Sequence, residues 1–314
     1  MGIHVLRGGL LTTVQDLGRW GFQHLGVSVA GPMDVVSHRL ANAWVGNRQD
    51  AATLEITLIG PELEFSEDGR FVVTGAAFDL FLDGSSVGIN RVISVSSGQR
   101  LRFGSRSRGA RAYLSIEGGI DVPVFLGSRA THIASRMGGV EGRRLRAGDF
   151  VSIGLVEKNC TKMCSDNVDE RNSISSGVTR VRVLLAPERE SFDPSAVERF
   201  FAGRYIVSAQ SDRMAFRLQG AALSIVARSE MLSQATSQGA IQVPRDGMPI
   251  VLMADRQTIG GYPVLGNVIS ADLPRLGQLA PGDRVCFEAC DKETALRAVI
   301  LQERLLLSQE SDRR

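Results

Sequence analysis

Lysine is nearly absent from this chain: Lys158, Lys162 and Lys292 are the three lysines among 36 basic residues, and the other 33 are arginine. The first two fall in a polar stretch and the third at the start of a terminal helical pattern. A Schiff-base lysine, a lysine general base and a P-loop lysine are therefore disfavoured. An anion bound here must be met by guanidinium groups or backbone amides. Histidine is equally sparse. His4, His24, His38 and His132 show neither H-x-x-x-H nor H-E-x-x-H spacing. Cys160, Cys164, Cys286 and Cys290 form two C-x₃-C pairs, an unusual spacing for structural zinc, so they read as free cytoplasmic thiols and no metal is expected. There is no G-x-S-x-G elbow, no Walker A sequence, and no G-x-G-x-x-G between a strand and a helix. No apolar run approaches the ~20 residues of a membrane helix. The opening MGIHVLRGGLL lacks the features of a signal peptide, and the expected location is the cytoplasm. A net charge of +2, with basic residues spread out, gives no nucleic-acid footprint.

What is present is a soluble-type composition, 43% hydrophobic and 22% charged over 314 residues, with room for two domains. Glu157 to Thr179 is rich in Ser, Asn, Asp and Lys and reads as a linker. The expected division is residues 1–156, a linker 157–179, residues 180–290, and a helix and tail 291–314. The two halves end alike: RRLRAGDFVSIG (Arg143 to Gly154) and GQLAPGDRVCFEA (Gly277 to Ala289) each give a Gly-Asp turn and an alternating strand. SSGQRLRFG (Ser96 to Gly104) is a looser version, and the repetition suggests two similar β domains. Arg70 to Gly84, Val181 to Ala186 and Pro249 to Asp255 read as strands. Helices are few. One spans Pro32 to Asn47 with Met33, Val36, Leu40 and Trp44 on a face. A second is capped by Asp193-Pro194 and closed by Gly203. The third, Asp291 to Ser308, is built on Leu296, Val299, Ile300 and Leu307. Many short strands with few helices predict a mainly β fold of barrels.

Candidate chemistry concentrates in two places. In residues 239–283 a dry run, Ile250 to Ala254, ends abruptly in Asp255-Arg256-Gln257-Thr258 and then Gly260-Gly261-Tyr262-Pro263. Polar groups converging beside a dry barrel match a binding pocket, and Gln242 lies just upstream. In a continuing strand Asp255 and Arg256 would face opposite ways, so both serve one pocket only if the chain turns there. The alternative is an ion-paired barrel rim. Near the N-terminus Gln15, Asp16 and Arg19 form either a polar cluster at a barrel mouth or a turn in which Asp16 takes backbone amides. Arg129, after Leu126-Gly127-Ser128, offers a guanidinium to an anion. Asp34 reads first as a helix cap. His24 is either a general base or a hydrogen-bonded structural histidine.

Residues 239–283, with TTVQDLGRWGFQHLGVSVAGPMD (Thr12 to Asp34), LEITLIGPEL (Leu54 to Leu63), SIEGGIDVPVFLGSRAT (Ser115 to Thr131) and GRRLRAGD (Gly142 to Asp149), run in the order of a known family. The chain resembles the family of the 5-oxoprolinase C subunit, also called KipA or allophanate hydrolase subunit 2, which includes the carboxyltransferase domain of urea carboxylase. The resemblance implies two cyclophilin-like β-barrel subdomains. It implies one component of an ATP-dependent complex, inactive alone, that opens 5-oxoproline to glutamate. The implied partners are a KipI-like B subunit together with an A subunit. On that reading Asp255, Arg256 and Asp16 are catalytic. Gln15, Arg19, His24, Arg129, Gln242, Gln257, Thr258 and Tyr262 bind substrate, and ATP is the cofactor, bound with the partners. The alternatives within the family are a carboxyltransferase module and a KipA-like regulator of a kinase inhibitor. No Ala-Met-Lys-Met hairpin marks a biotin attachment, so biotin would arrive on another chain. Ala215-Phe216 replaces the Gly-Tyr of the family's S-x-R-M-G-Y-R, and SQATSQGAIQVP departs from its S-E-G-V-x-P-G-A-I-Q-V-P. These departures leave the substrate within the family open.

Overall fold

The computed structural model describes residues 2–156, 177–226 and 232–311. The chain forms two compact units, one of residues 1–20, 30–172 and 304–314, the other of 21–29 and 173–303. Residues 157–176 of the expected linker, with Cys160 and Cys164, lie outside the described residues.

In the first unit the strands are β1 (Gly2–Arg7), β2 (Leu11–Gln15), β3 (Thr53–Thr57), β4 (Glu62–Phe65), β5 (Gly69–Leu82), β6 (Ser85–Val87), β7 (Ile93–Val95), β8 (Arg100–Ile116) and β9 (Phe150–Ser152). They run in the order β2-β3-β8-β4-β1-β9, with β5 paired to β6, β7 and β8. The outcome is an open half-barrel hinged on β8, which is long enough to serve three neighbours. Along β5, Phe78, Leu80 and Leu82 point inward and alternate with Asp79, the period of a half-buried strand. Strand β3 breaks that rule, because all five of its positions are buried. Its Glu55 carboxylate therefore needs internal donors. It accepts from the Met33 amide at 2.8 Å and the Tyr113 hydroxyl at 2.7 Å. The Tyr113 hydroxyl in turn accepts from the Asp34 amide at 2.7 Å.

This network seats helix α1 (Val35–Trp44), which is shorter than the expected Pro32–Asn47. Met33, Val36, Leu40 and Trp44 are buried as the pattern requires. The Asp34 side chain accepts from the Ser37 amide at 2.9 Å and the Ser37 hydroxyl at 2.6 Å, which is the capping role.

The second unit holds β10 (Val178–Leu185), β11 (Tyr205–Val207), β12 (Ala215–Gln219), β13 (Gln234–Ala235), β14 (Ala240–Gln242), β15 (Ile250–Leu252), β16 (Ile259–Gly260), β17 (Val264–Val268) and β18 (Arg284–Ala289). Seven of them close into a barrel, β10-β17-β14-β15-β12-β11-β18, and β13 pairs with β16 beside it. The closing seam, β10 with β18, is parallel, while the other barrel pairs are antiparallel. Helix α2 (Pro194–Ala202) is capped by Asp193, whose carboxylate accepts from the Ser195 amide. Its Phe200 stacks on Phe287 of β18 at 4.6 Å. Fold class thus agrees with the mainly β, two-barrel expectation, with one barrel closed and the other open.

The repeated turn is real. The amides of Gly148 and Gly282 donate to Val5 and Val207, and the carbonyls of Asp149 and Asp283 accept from the same two residues. Each glycine has φ near 90°, which a side chain would oppose. The Asp149 and Asp283 carboxylates close the turns by accepting from the amides of Arg146 and Ala280. Gly98-Gln99 makes the same backbone exchange with Phe65.

The C-terminal helix corrects one expectation. Helices α3 (Leu273–Gly277) and α4 (Lys292–Ser311) follow the barrel. In α4, Leu296, Ile300 and Leu307 are exposed, and the buried residues are Ala295 and Leu306. Leu306 and Gln309 belong to the first unit: the Leu306 carbonyl accepts from Gln49 and the Gln309 side chain from the Trp44 indole. Apolar spacing identified the helix, but those anchors set which face turns inward. No helix among the described residues is long and apolar enough to cross a membrane.

Candidate functional site

The sequence-selected residues fall into two clusters, one in each unit. In the first, Gln15 ends β2 and is fully buried. Its side-chain amide donates to the Thr131 carbonyl and the Thr13 hydroxyl, both at 3.1 Å. Asp16 is also buried, and its carboxylate takes three donors: the Gly18 amide at 2.9 Å, and the Ser128 hydroxyl and Arg129 amide at 2.5 Å each. Arg19, 1% exposed, donates to the Ala130 carbonyl. Gly138 covers that contact with φ +65°, and a Cβ there would come within 2.1 Å of the Ala130 carbonyl oxygen. The Arg129 guanidinium turns outward to Asp121 at 2.8 Å and to the Val122 carbonyl. The cluster therefore ties the turn after β2 to residues 128–131.

His38 lies deeper in the same unit. It is fully buried, with Nδ1 at 2.9 Å from the Thr53 hydroxyl. Burial pushes its pKa down to about 4, against partial opposition from the Asp16 and Glu55 charges.

In the second unit the chain turns at the end of the dry run. The Arg256 amide donates to the Met253 carbonyl, and the Asp255 amide to the Arg213 carbonyl. The Asp255 carboxylate is held bidentately by Arg213, at 2.8 and 3.0 Å, with both side chains nearly buried. Arg256 behaves differently. It is 5% exposed, its carbonyl accepts from the Ser28 hydroxyl at 2.6 Å, and its guanidinium has no carboxylate partner among the described residues. Burial lowers its pKa from the usual arginine value.

Gln257 and Gln242 meet over Gly260. The Gln257 amide approaches Gln242 Oε1 at 3.5 Å. A Cβ on Gly260 would lie 2.6 Å from Gln242 Nε2, so the absent side chain leaves that amide its place. Thr236 bridges to this turn from just beyond β13, its hydroxyl donating to the Gln257 carbonyl and its amide to that of Thr258. Tyr262 is 48% exposed. His24, in a single 3₁₀ turn of the second unit, is exposed and makes no ring contact among the described residues.

Sequence reasoning did not select Arg213, Ser28 or Thr236. Arg213 lies just before Ala215-Phe216, and its pairing with an acid 42 residues on is a tertiary fact. Ser28 had no local signal, because residues 21–29 join the second unit from a position far upstream. Phe216, at the position where the family pattern has Tyr, is fully buried and paired through its backbone to Val251.

A buried carboxylate locked to one arginine, a second arginine beside it with no carboxylate partner among the described residues, and two amides over a glycine thus lie together where the dry run of the barrel ends. The chain belongs to the family of the carboxyltransferase domain, subdomain A and B, which it matches over residues 25–289. It is 40% identical to the 5-oxoprolinase C subunit of Escherichia coli over 96% of both chains. It is 35% identical to the protein of the same name from Haemophilus influenzae, over 91% of this chain and 90% of that one. Among solved structures, the Kluyveromyces lactis urea carboxylase superposes with a TM-score of 0.90 at 32% identity. That match covers 98% of this chain and 29% of the larger protein.

Proposed function

We propose that this chain is the C subunit of a 5-oxoprolinase complex, which hydrolyses the lactam of 5-oxoproline to glutamate with coupled hydrolysis of ATP. The observation that carries this reading is the 40% identity to the Escherichia coli protein across nearly the full length of both chains. That relative is one subunit of several, and on this reading the chain is inactive alone. A KipI-like B subunit together with the A subunit completes the complex, which works in the cytoplasm.

The net reaction adds one water across the lactam C–N bond while a second water converts ATP to ADP and phosphate. The substrate sits at the second-unit cluster. Arg256 places positive charge where negative charge develops on the substrate, and a fixed cation in a dry site stabilises such charge strongly. Asp255, fixed by Arg213, is the carboxylate positioned beside it. Gln242, Gln257, Thr258 and Tyr262 orient the substrate. Asp16, with Gln15, Arg19 and Arg129, holds the first-unit frame, and His24 is a surface contact. ATP enters with the partner chains, since the sequence carries no phosphate-cradling lysine motif.

The test is reconstitution with homologues of the two partner chains, followed by an assay of ATP-dependent glutamate release. Activity requiring all three chains supports the reading. A stable complex without activity sinks it and favours the second reading, a carboxyltransferase module that receives CO₂ from biotin carried on another chain. That reading is favoured by the family match and by the superposition on urea carboxylase. Carboxybiotin and an amide acceptor would be the next substrates to try.

A further inference from the structure

In the first unit, one stretch of sheet is only two strands wide. Strand β5 gives Gly69–Phe71 to β7 and Leu80–Leu82 to β6, and between them residues 75–79 pair with β8 alone. On its far side β8 meets β4 at Arg100–Arg102 and β3 at Arg111–Leu114, so 104–109 has no strand neighbour but β5 among the described residues. A ribbon with both edges open results. Three register shifts bulge it, at Gly75/Ala77, Ala77/Phe78 and Phe78/Leu80. Its inner side is apolar, with Ala76, Phe78 and Phe103 buried and the two rings edge-on at 5.5 Å. A bulged edge breaks the spacing a new strand would need, so side chains must carry any recognition there.

Those side chains are arginines. Arg102 is followed by Gly104-Ser105-Arg106-Ser107-Arg108-Gly109, against a single acid on the ribbon, Asp79. Other surface arginines, Arg48, Arg180 and Arg297 among them, each hold a carboxylate at 2.5–2.8 Å. Arg100 is likewise taken by Glu64 at 2.8 Å. Arg102, Arg106 and Arg108 have no carboxylate partner among the described residues. Arg102 lies over the Phe81 ring at 4.3 Å, and Arg106 donates to the Gly109 carbonyl. Arg102 and Arg108 are exposed and Arg106 half-buried.

We propose that this ribbon docks an acidic, extended segment of a partner chain, gripped by Arg102, Arg106 and Arg108. The proposal rests on the reading of this chain as one subunit of a complex. A guanidinium fork meets a carboxylate through two parallel N–H bonds, and the small residues between the arginines leave each fork room to do so. Charge complementarity at such a rim speeds encounter and selects the partner, and salt weakens it. Nucleic acid fits less well, since the whole chain carries a net charge of only +2.

The full chain is titrated with homologues of the two partner chains, and Kd is followed from about 50 mM to about 500 mM salt, where screening is strong. The double variant Arg106→Ala, Arg108→Ala should raise Kd about tenfold at the low end, with little difference left at the high end. Arg106→Lys with Arg108→Lys keeps the charge and should retain most of the affinity, which separates lost docking from lost folding. Arg199→Ala with Arg204→Ala removes the same charge from the second unit and should leave Kd unchanged. An equal loss in that control overturns the inference, as does a Kd indifferent to the ribbon variant, which would leave the arginines only to keep other copies from the open edges. A random DNA duplex bound as tightly as the partner chains also overturns it, as does the absence of any complex. Assembly that depends on Arg106 and Arg108, in a complex releasing no glutamate, keeps this inference and removes the 5-oxoprolinase reading. Glutamate release from a complex whose assembly ignores both arginines does the reverse.

Discussion

The two candidate clusters contain the same kinds of residue and hold their carboxylates in different ways. Around Asp16 the carboxylate has three donors, and Gln15, Arg19 and Arg129 all reach backbone carbonyls of the same unit. Around Asp255 the carboxylate is held by one arginine side chain instead of backbone amides and a hydroxyl. Each cluster also keeps a buried side-chain oxygen with no hydrogen bond among the described residues, Gln15 Oε1 in the first and Gln257 Oε1 in the second. A carboxylate fixed by local backbone donors rigidifies a frame. One fixed by a distant arginine depends on that single partner. The contrast lies in what holds the acid, since both clusters offer acid, amide and guanidinium.

Substitutions can break that contrast, and the largest effect should come from Arg213→Ala. It strips the partner from a nearly buried carboxylate, a change that costs about 3–5 kcal/mol. A fall in the urea midpoint at unchanged m-value would show it. A loss below 1 kcal/mol would mean the pair is solvated in solution. Next comes a pH effect in the first unit. His38 has a folded pKa near 4 against 6.5 unfolded. The unfolded chain therefore binds the extra proton first as pH falls. The stability tied to neutral His38 is complete above pH 6.5 and is lost between 6.5 and about 4, on the order of 3 kcal/mol. Unfolding titrations of wild type and His38→Gln should differ in slope across that window, and parallel curves would remove His38 as the cause.

Asp16→Asn should cost about 1–2 kcal/mol, because a neutral amide replaces a carboxylate that takes three donors. If Asp16 is scaffold, activity in the reconstituted complex should fall with thermal stability and recover on cooling. Gly260→Ala sharpens the comparison from the other side. Its Cβ must displace the flexible end of Gln242, costing about 1 kcal/mol of stability. Substrate affinity should fall further than stability does, and an unchanged KM would argue that Gln242 does not meet substrate. The smallest effect on folding belongs to Arg256→Gln, within about 1 kcal/mol of wild type or slightly stabilising, since it removes an unmatched buried charge. Its melting temperature should hold while activity collapses.

Much of this was readable in the sequence. The strand over Arg70 to Gly84, the Gly-Asp turns, and the caps at Asp34 and Asp193 follow from local chemistry, and each is where the pattern put it. The polar turn after Ile250 to Ala254 was legible for the same reason, because a dry run must end where polar residues begin. The partners of those residues were not legible. Arg213 reaches Asp255 and Ser28 reaches Arg256 across sequence separations that no local signal spans. The exposed side of α4 was misread because apolar spacing defines two overlapping stripes, and tertiary anchors at Leu306 and Gln309 choose between them. Glu55 went unnoticed because a single acid inside TLEIT resembles an outward position until every residue of that strand is buried.

The parallel seam of the barrel sets a schedule for synthesis. Strands β10 and β18 pair from Val178 with Arg284 to Val183 with Ala289, contacts about a hundred residues apart. Loop closure on that scale must precede the contacts that reward it. A ribosome making this chain completes β10 at Leu185 and cannot offer it all of its partner on that side until Ala289 has emerged. The first unit waits longer still, since Leu306 and Gln309 supply its last hydrogen bonds. The barrel cannot close before β18 is made, so the nascent chain carries an open strand edge while about a third of it is translated, the period in which chaperones meet it.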